Sequence, residues 1–188
     1  MAQATDVPWA VAAADFARWE GRFSYMYLDT RGLVTVAVGK MLPDVAAAQA
    51  LAFVRRSDGQ PATAAEIRAD FERVLQQPMG RLAKTYKAST LLDLPDAAID
   101  ALLQSTVAGF ETNLRANFAG YDSYPAPAKR ALLDMIYNLG PGKLLAFVNL
   151  KKAVEAKNWT VAAQECERRG PSPERNSWTR DLFMKAAE

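Results

Sequence analysis

Glu20, Asp29 and Thr35 are the side chains in this sequence best placed to do hydrolytic chemistry together. Glu20 closes a stretch with helical spacing, Asp29 opens the turn segment Asp29-Thr30-Arg31-Gly32, and Thr35 lies on the strand returning from that turn. The residues between the acids run out along a strand, so the two carboxylates can face a common space although nine positions separate them. Acetal hydrolysis needs an acid to protonate the leaving oxygen and an ionised carboxylate across the sugar, with room for a water in inverting enzymes. Surroundings can divide those roles: a Glu against apolar Trp9 or Trp19 would have its pKa raised, whereas an Asp in a polar turn would stay ionised. Either acid alone reads far more readily as solvated surface or a local cap than as a catalytic group, so neither position carries the assignment by itself.

Composition narrows the alternatives. Histidine is absent and Cys166 is the one cysteine, which excludes Ser-His-Asp, Cys-His and zinc-site chemistry and any internal disulfide. No metal and no cofactor is expected. Cys166, in a segment 162–169 that reads as helix, is expected to be an unreactive buried thiol. The net charge of +2 is too even for a protein that lives on nucleic-acid phosphates. The charge is unevenly spread, however, with 11 of the 23 basic and 7 of the 21 acidic residues beyond position 128. That mild basic bias suits an anionic polymer such as a cell wall. No apolar run is long enough to span a bilayer and no Sec-type leader is read at the N-terminus, so no membrane anchor is expected.

The elements that must position these residues are legible from period and punctuation. Trp9, Ala13, Phe16 and Ala17 space a helix that Gly21 stops. Phe23, Tyr25 and Tyr27 alternate, as do Val34, Val36 and Val38, predicting a β-hairpin with room for a short third strand. After Gly39 the chain reads as helix almost to its end. The first such segment runs from about Pro43 to Arg56, and a second, with Thr63 to Glu66 at capping-box spacing, runs on to near Pro78 and Gly80. Residues 80–93 carry no clear pattern. Pro95 opens a long helix of about 24 residues in which Ile99, Leu103, Val107, Phe110, Leu114 and Phe118 recur. Further helices are predicted at about 127–139, 143–157, 160–169 and 173–187. The fold class is α+β, mostly α. A small β-containing lobe at about 21–93 and a helical lobe at about 1–20 and 94–188, joined by the long helix, make one domain of 188 residues. A cleft between lobes is the default ligand site.

The segments Glu20-Gly21, Tyr27-Leu28-Asp29-Thr30-Arg31-Gly32 and Thr35-Val36-Ala37-Val38-Gly39 resemble the bacteriophage-type lysozymes, glycoside hydrolase family 24. That family reads E-G, then D-T-x-G, then T-x-G-x-G-H, and its catalytic Glu, Asp and Thr fall on Glu20, Asp29 and Thr35 without a gap. A second block, Arg130 to Gly140, is similar to the family's R-x-A-L-x-x-M-x-F-x-x-G helix and includes Met135. Phe147, Asn149, Trp159, Ala162-Ala163, Pro173-Glu174-Arg175 and Phe183 match the rest. The resemblance covers about residues 10–40 and 94–184, and leaves 41–93 as an apparent insertion.

The resemblance implies a lysozyme-like fold and hydrolysis of the β-1,4 bond between N-acetylmuramic acid and N-acetylglucosamine in peptidoglycan. Glu20 would be the general acid, Asp29 and Thr35 would position and activate water, and the anomeric carbon would invert. Arg175 would lie near the acid and help hold it, lowering its pKa against the effect of apolar burial, while Gly39, Met135 and Gly140 would support or bind substrate. Lys40 stands where the family has His, and Ala37 where it has Gly. A monomer is expected, made in the cytoplasm and acting on the cell wall in the periplasm. It would serve as a phage endolysin or as an antibacterial effector with a cognate inhibitor. The alternatives are a wall-binding module that has lost turnover and a hydrolase of chitin-type glycans. Phe110, Phe118, Phe147, Trp159, Trp178 and Phe183 read as core rather than sugar platforms, and Arg55-Arg56, Lys151-Lys152 and Arg168-Arg169 as solvated faces.

Overall fold

A computed structural model describes residues 7–188; the first six positions of the predicted N-terminal lobe lie outside the described residues. Helix makes up 59% of the chain beside a small antiparallel sheet, an α+β, mostly α fold. The residues divide into two units, Phe16–Ser105 in one, and Thr106–Glu188 with the described residues up to Asp15 in the other. Both divisions fall inside helices.

The first unit is built round a hairpin. Helix α1 (Trp9–Glu20) ends against Gly21, whose φ of +76° and N–H bond to the Ala17 carbonyl, 3.2 Å, form a left-handed stop. Strand β1 (Phe23–Leu28) then pairs antiparallel with β2 (Val34–Ala37), which pairs in turn with the short β3 (Lys40–Met41). Phe23 opposes Ala37 and Tyr27 opposes Thr35, so β1 carries two residues more than β2 over the same interval, a bulged register. Both faces of the hairpin are covered: all four residues of β2, Thr35 included, are buried, and so are Tyr25 to Leu28.

The predicted helix from Pro43 to Arg56 is overturned beyond its first turns. Helix α2 (Val45–Gln49), capped by Asp44, stops at Ala50, and Val54–Arg55 forms β4, paired antiparallel with β5 (Leu92–Asp93). Helix propensity in that Ala-rich stretch is worth only tenths of a kcal/mol per residue. Against it stand burial of Phe53 and the Arg56 guanidinium, which donates to the Thr90 and Leu92 carbonyls and to Asp93. Helix α3 (Ala64–Leu75) follows with its capping box formed, both Thr63 and Glu66 bonding across the cap. The patternless stretch holds a 3₁₀ turn, Ala83–Ser89.

Helix α4 (Asp96–Asn117) passes from the first unit into the second. There α5 (Ala126–Leu139) lies against α9 (Pro173–Lys185), which also packs on α8 (Trp159–Glu165). The single helix predicted at 143–157 is two, α6 (Pro141–Leu145) and α7 (Val148–Glu155). Leu144 and Leu150 are both buried yet six positions apart, out of phase on one helix, and the break at Phe147 lets both face inward. Helix α8 stops at Glu165, short of the predicted 169.

Candidate active site

Within the hairpin unit, three short features carry the candidate side chains. Gly21 turns the chain at the end of α1, leaving Glu20, half-buried, as that helix's last residue. A Cβ at position 21 would stand 2.6 Å from Cε2 of Phe23, so the turn that presents Glu20 accepts little besides glycine.

Asp29 and Thr35 are both tied to the backbone of Leu33. The Asp29 N–H donates to the Leu33 carbonyl at 2.9 Å, and the Leu33 N–H donates back to Asp29 Oδ1 at 2.9 Å. Asp29 Oδ1 also accepts the Arg31 N–H at 2.8 Å, while its Oδ2 faces the Arg31 guanidinium at 3.4 Å. Thr35, only 3% exposed, donates its hydroxyl proton to the same Leu33 carbonyl at 3.1 Å. The turn therefore consumes Oδ1 of Asp29 and the Thr35 proton. Oδ2 accepts only the long 3.4 Å bonds from the Arg31 guanidinium, which a water could displace, and the lone pairs of the Thr35 hydroxyl remain as acceptors.

Tyr27, directly opposite Thr35, feels the charge of both acids. Burial pushes its hydroxyl pKa well up, and the charges of Glu20 and then Asp29 push it further. One buried phenol thus lies within the field of both carboxylates. Sequence reading did not single out Tyr27 as a site residue, although its strand alternation with Tyr25 put it on the face leading to the turn.

The other expected residues divide by burial and backbone. Gly39 is exposed at the turn between β2 and β3, with φ +68°. Lys40 is exposed on β3. Ala37, where the resemblance would have glycine, keeps a left-handed backbone at φ +59°. Met135 is wholly buried on α5, so it can serve only as support from within the core. Gly140 adopts φ +77°, ψ +162°, a region glycine alone enters readily, and links α5 to α6; its geometry accounts for the residue without a ligand.

Arg175 is buried in the helical unit, where its Nε donates to Asp134 Oδ1 at 2.9 Å. Asp134 also pairs with Arg168 at 2.7 Å and accepts from the Thr179 hydroxyl at 2.9 Å. The reading of Arg168 as a solvated face is overturned. With α8 ending early, its side chain turns inward to this carboxylate, and desolvation there pulls its pKa down. Asp134 is the residue sequence reading missed, having counted it only as a filler position in the helix motif. Cys166 is buried, its thiol pushed up to about 11 by desolvation, as an inert core thiol would be.

Two half-open grooves lie elsewhere. One, about 650 Å³, is bordered by Glu167, Arg169 and Arg180, and the other, about 440 Å³, by Arg55, Arg73 and Glu66. Each offers a single carboxylate, and Glu66 is already spent on the Thr63 cap, so neither holds the acid pair that acetal hydrolysis needs. Among the described residues no His, Cys, Asp and Glu cluster could hold a metal ion, and no helix is long and apolar enough to cross a membrane. A scan against protein-family models and a search of curated proteins return no match to this chain.

Proposed function

We propose that this chain is a muramidase of the bacteriophage-lysozyme type, hydrolysing the β-1,4 bond between N-acetylmuramic acid and N-acetylglucosamine in peptidoglycan. The observation that supports the reading is that the charges of Glu20 and Asp29 both act on the buried Tyr27 hydroxyl, in a hairpin whose Leu33 backbone holds Asp29 and Thr35. Glu20 gives its proton to the glycosidic oxygen as the bond to the anomeric carbon breaks. A water held between Asp29 Oδ2 and the Thr35 oxygen attacks that carbon from the opposite face, passing its proton to Asp29, and the configuration inverts. Cell-wall glycan strands are the partner, and the wall is where the enzyme acts.

Release of reducing ends from purified peptidoglycan tests the proposal. Glu20→Gln and Asp29→Asn are each expected to lose roughly a hundredfold or more, the scale of a positioned acid or base. Turnover at the wild-type rate by Glu20→Gln protein would remove the assignment. NMR of the first-formed sugar should show the anomer opposite to the cleaved bond, and retention would reject the water-holding roles. Wall binding without any reducing ends would make the chain a binding module; hydrolysis of chitin oligosaccharides alone would move it to another glycan.

A further inference from the structure

The segment between Glu72 and Asp93 contains no acidic residue, while Arg73, Arg81, Lys84 and Lys87 all fall within it. Arg81, Lys84 and Lys87 recur every third position, and Ala83–Ser89 is a 3₁₀ turn, which repeats every three residues. Lys84 and Lys87 therefore stand one above the other on a single edge, roughly 6 Å apart along the axis, with Arg81 just before the first turn.

The remaining faces account for the rest of the pattern. Tyr86 is buried on the inward face and donates its hydroxyl to the Pro78 carbonyl at 2.8 Å, and Arg73 Nε donates to the Ser89 carbonyl at 3.3 Å, so both ends of the segment are pinned. Outward stand Met79 at 60% and Leu82 at 68% exposure. Arg81 and Lys84 are exposed and make no ion pair among the described residues. Lys87 lies 5.8 Å from the Tyr25 ring.

This ridge adjoins the candidate centre. A Cβ built at Gly32, in the turn that Asp29 opens, would lie 3.4 Å from Cε of Met79. A fixed row of cations with apolar side chains beside it, next to the turn that holds a carboxylate for glycan cleavage, suits a polymer whose sugars carry anionic side groups. We propose that Met79, Arg81, Leu82 and Lys84 form an accessory subsite for the carboxylate-bearing peptide stems of peptidoglycan, an inference that rests on the muramidase reading. The cations meet stem carboxylates, and Met79 and Leu82 cover the apolar parts of the same stems.

The test compares glycan strands bearing their peptide stems with strands stripped of them by an amidase. For Arg81→Gln/Lys84→Gln, KM on stem-bearing strands is expected to rise roughly three- to tenfold with kcat unchanged and with weaker dependence on salt, while KM on stripped strands stays as in wild type. Arg81→Lys/Lys84→Arg should retain wild-type KM. An unchanged KM on stem-bearing strands, or an equal rise on stripped ones, overturns the subsite. Sedimentation with intact sacculi is then measured in the Glu20→Gln background, where the same double change should weaken binding of stem-bearing walls. Absence of reducing ends from wild-type protein defeats the muramidase reading, whereas loss of the sedimentation difference defeats the ridge, so the two failures are told apart.

Discussion

At the scale of single residues, Asp29 does two jobs that substitution can separate. Its Oδ1 closes the turn by accepting two backbone N–H groups, and Asn would keep that oxygen while losing the charge. Asp29→Asn protein should therefore unfold in urea within about 1 kcal/mol of wild type, whereas Asp29→Ala should lose about 1–3 kcal/mol, the cost of orphaned donors. Equal stability of the two variants would mean the turn does not depend on that carboxylate. Asp93 shows the same balance without a catalytic role. Burial alone would raise its carboxyl, yet hydrogen bonds from Arg56 and Ser24 outweigh it and hold the group below its ordinary value.

At the scale of elements, the turn between α1 and β1 is the most exacting. Gly21→Ala meets both a left-handed backbone, costing about 1–2 kcal/mol, and the Phe23 ring. Gly59 has a similar φ of +70° with nothing within 4 Å of a built Cβ, so Gly59→Ala isolates the backbone cost. The excess of Gly21→Ala over Gly59→Ala in chemical denaturation measures the clash, and no excess would mean the ring simply moves aside. Ala37 runs the experiment in reverse. Glycine there would relieve strain but give up a buried methyl worth about 0.8 kcal/mol and loosen the unfolded chain, so Ala37→Gly should be neutral within about 1 kcal/mol.

At the scale of the whole molecule, two buried features set how stability responds to mutation and pH. Asp134 pairs with Arg168, accepts from Thr179 and bonds Arg175, joining α5, the segment after α8, and α9. Asp134→Ala leaves two buried guanidiniums around a vacated carboxylate and should cost about 3–5 kcal/mol, read as a fall in urea midpoint. On the alkaline side, the Cys166 thiol rises from 9.0 to about 11 on folding, so the folded state binds its proton more tightly. That contribution is intact below about pH 9 and is lost as pH climbs toward 11, with Tyr27 adding to the loss above 10. Urea midpoints should hold from pH 7 to 9 and then decline, and Cys166→Ala should flatten the decline between 9 and 11. A variant curve falling as steeply would clear the thiol of responsibility.

How much could be read beforehand follows the range of the forces involved. The hairpin, the capping box, the glycine stop after Glu20 and the long α4 are written in neighbouring residues, because alternation, caps and left-handed turns act over a few positions. A helix end, a turn and a strand suggested Glu20, Asp29 and Thr35 in the same local way, but it was the resemblance to the bacteriophage-type lysozymes that singled them out. Tertiary structure decided what depends on distant partners. Val54–Arg55 is a strand because Leu92–Asp93 lies alongside it, Arg168 is buried because Asp134 awaits it, and the cations of 81–87 form a ridge because Tyr86 anchors a turn of period three. Local propensity is worth tenths of a kcal/mol per residue, and a buried contact across the chain is worth several times that; where the two disagreed, the contact prevailed.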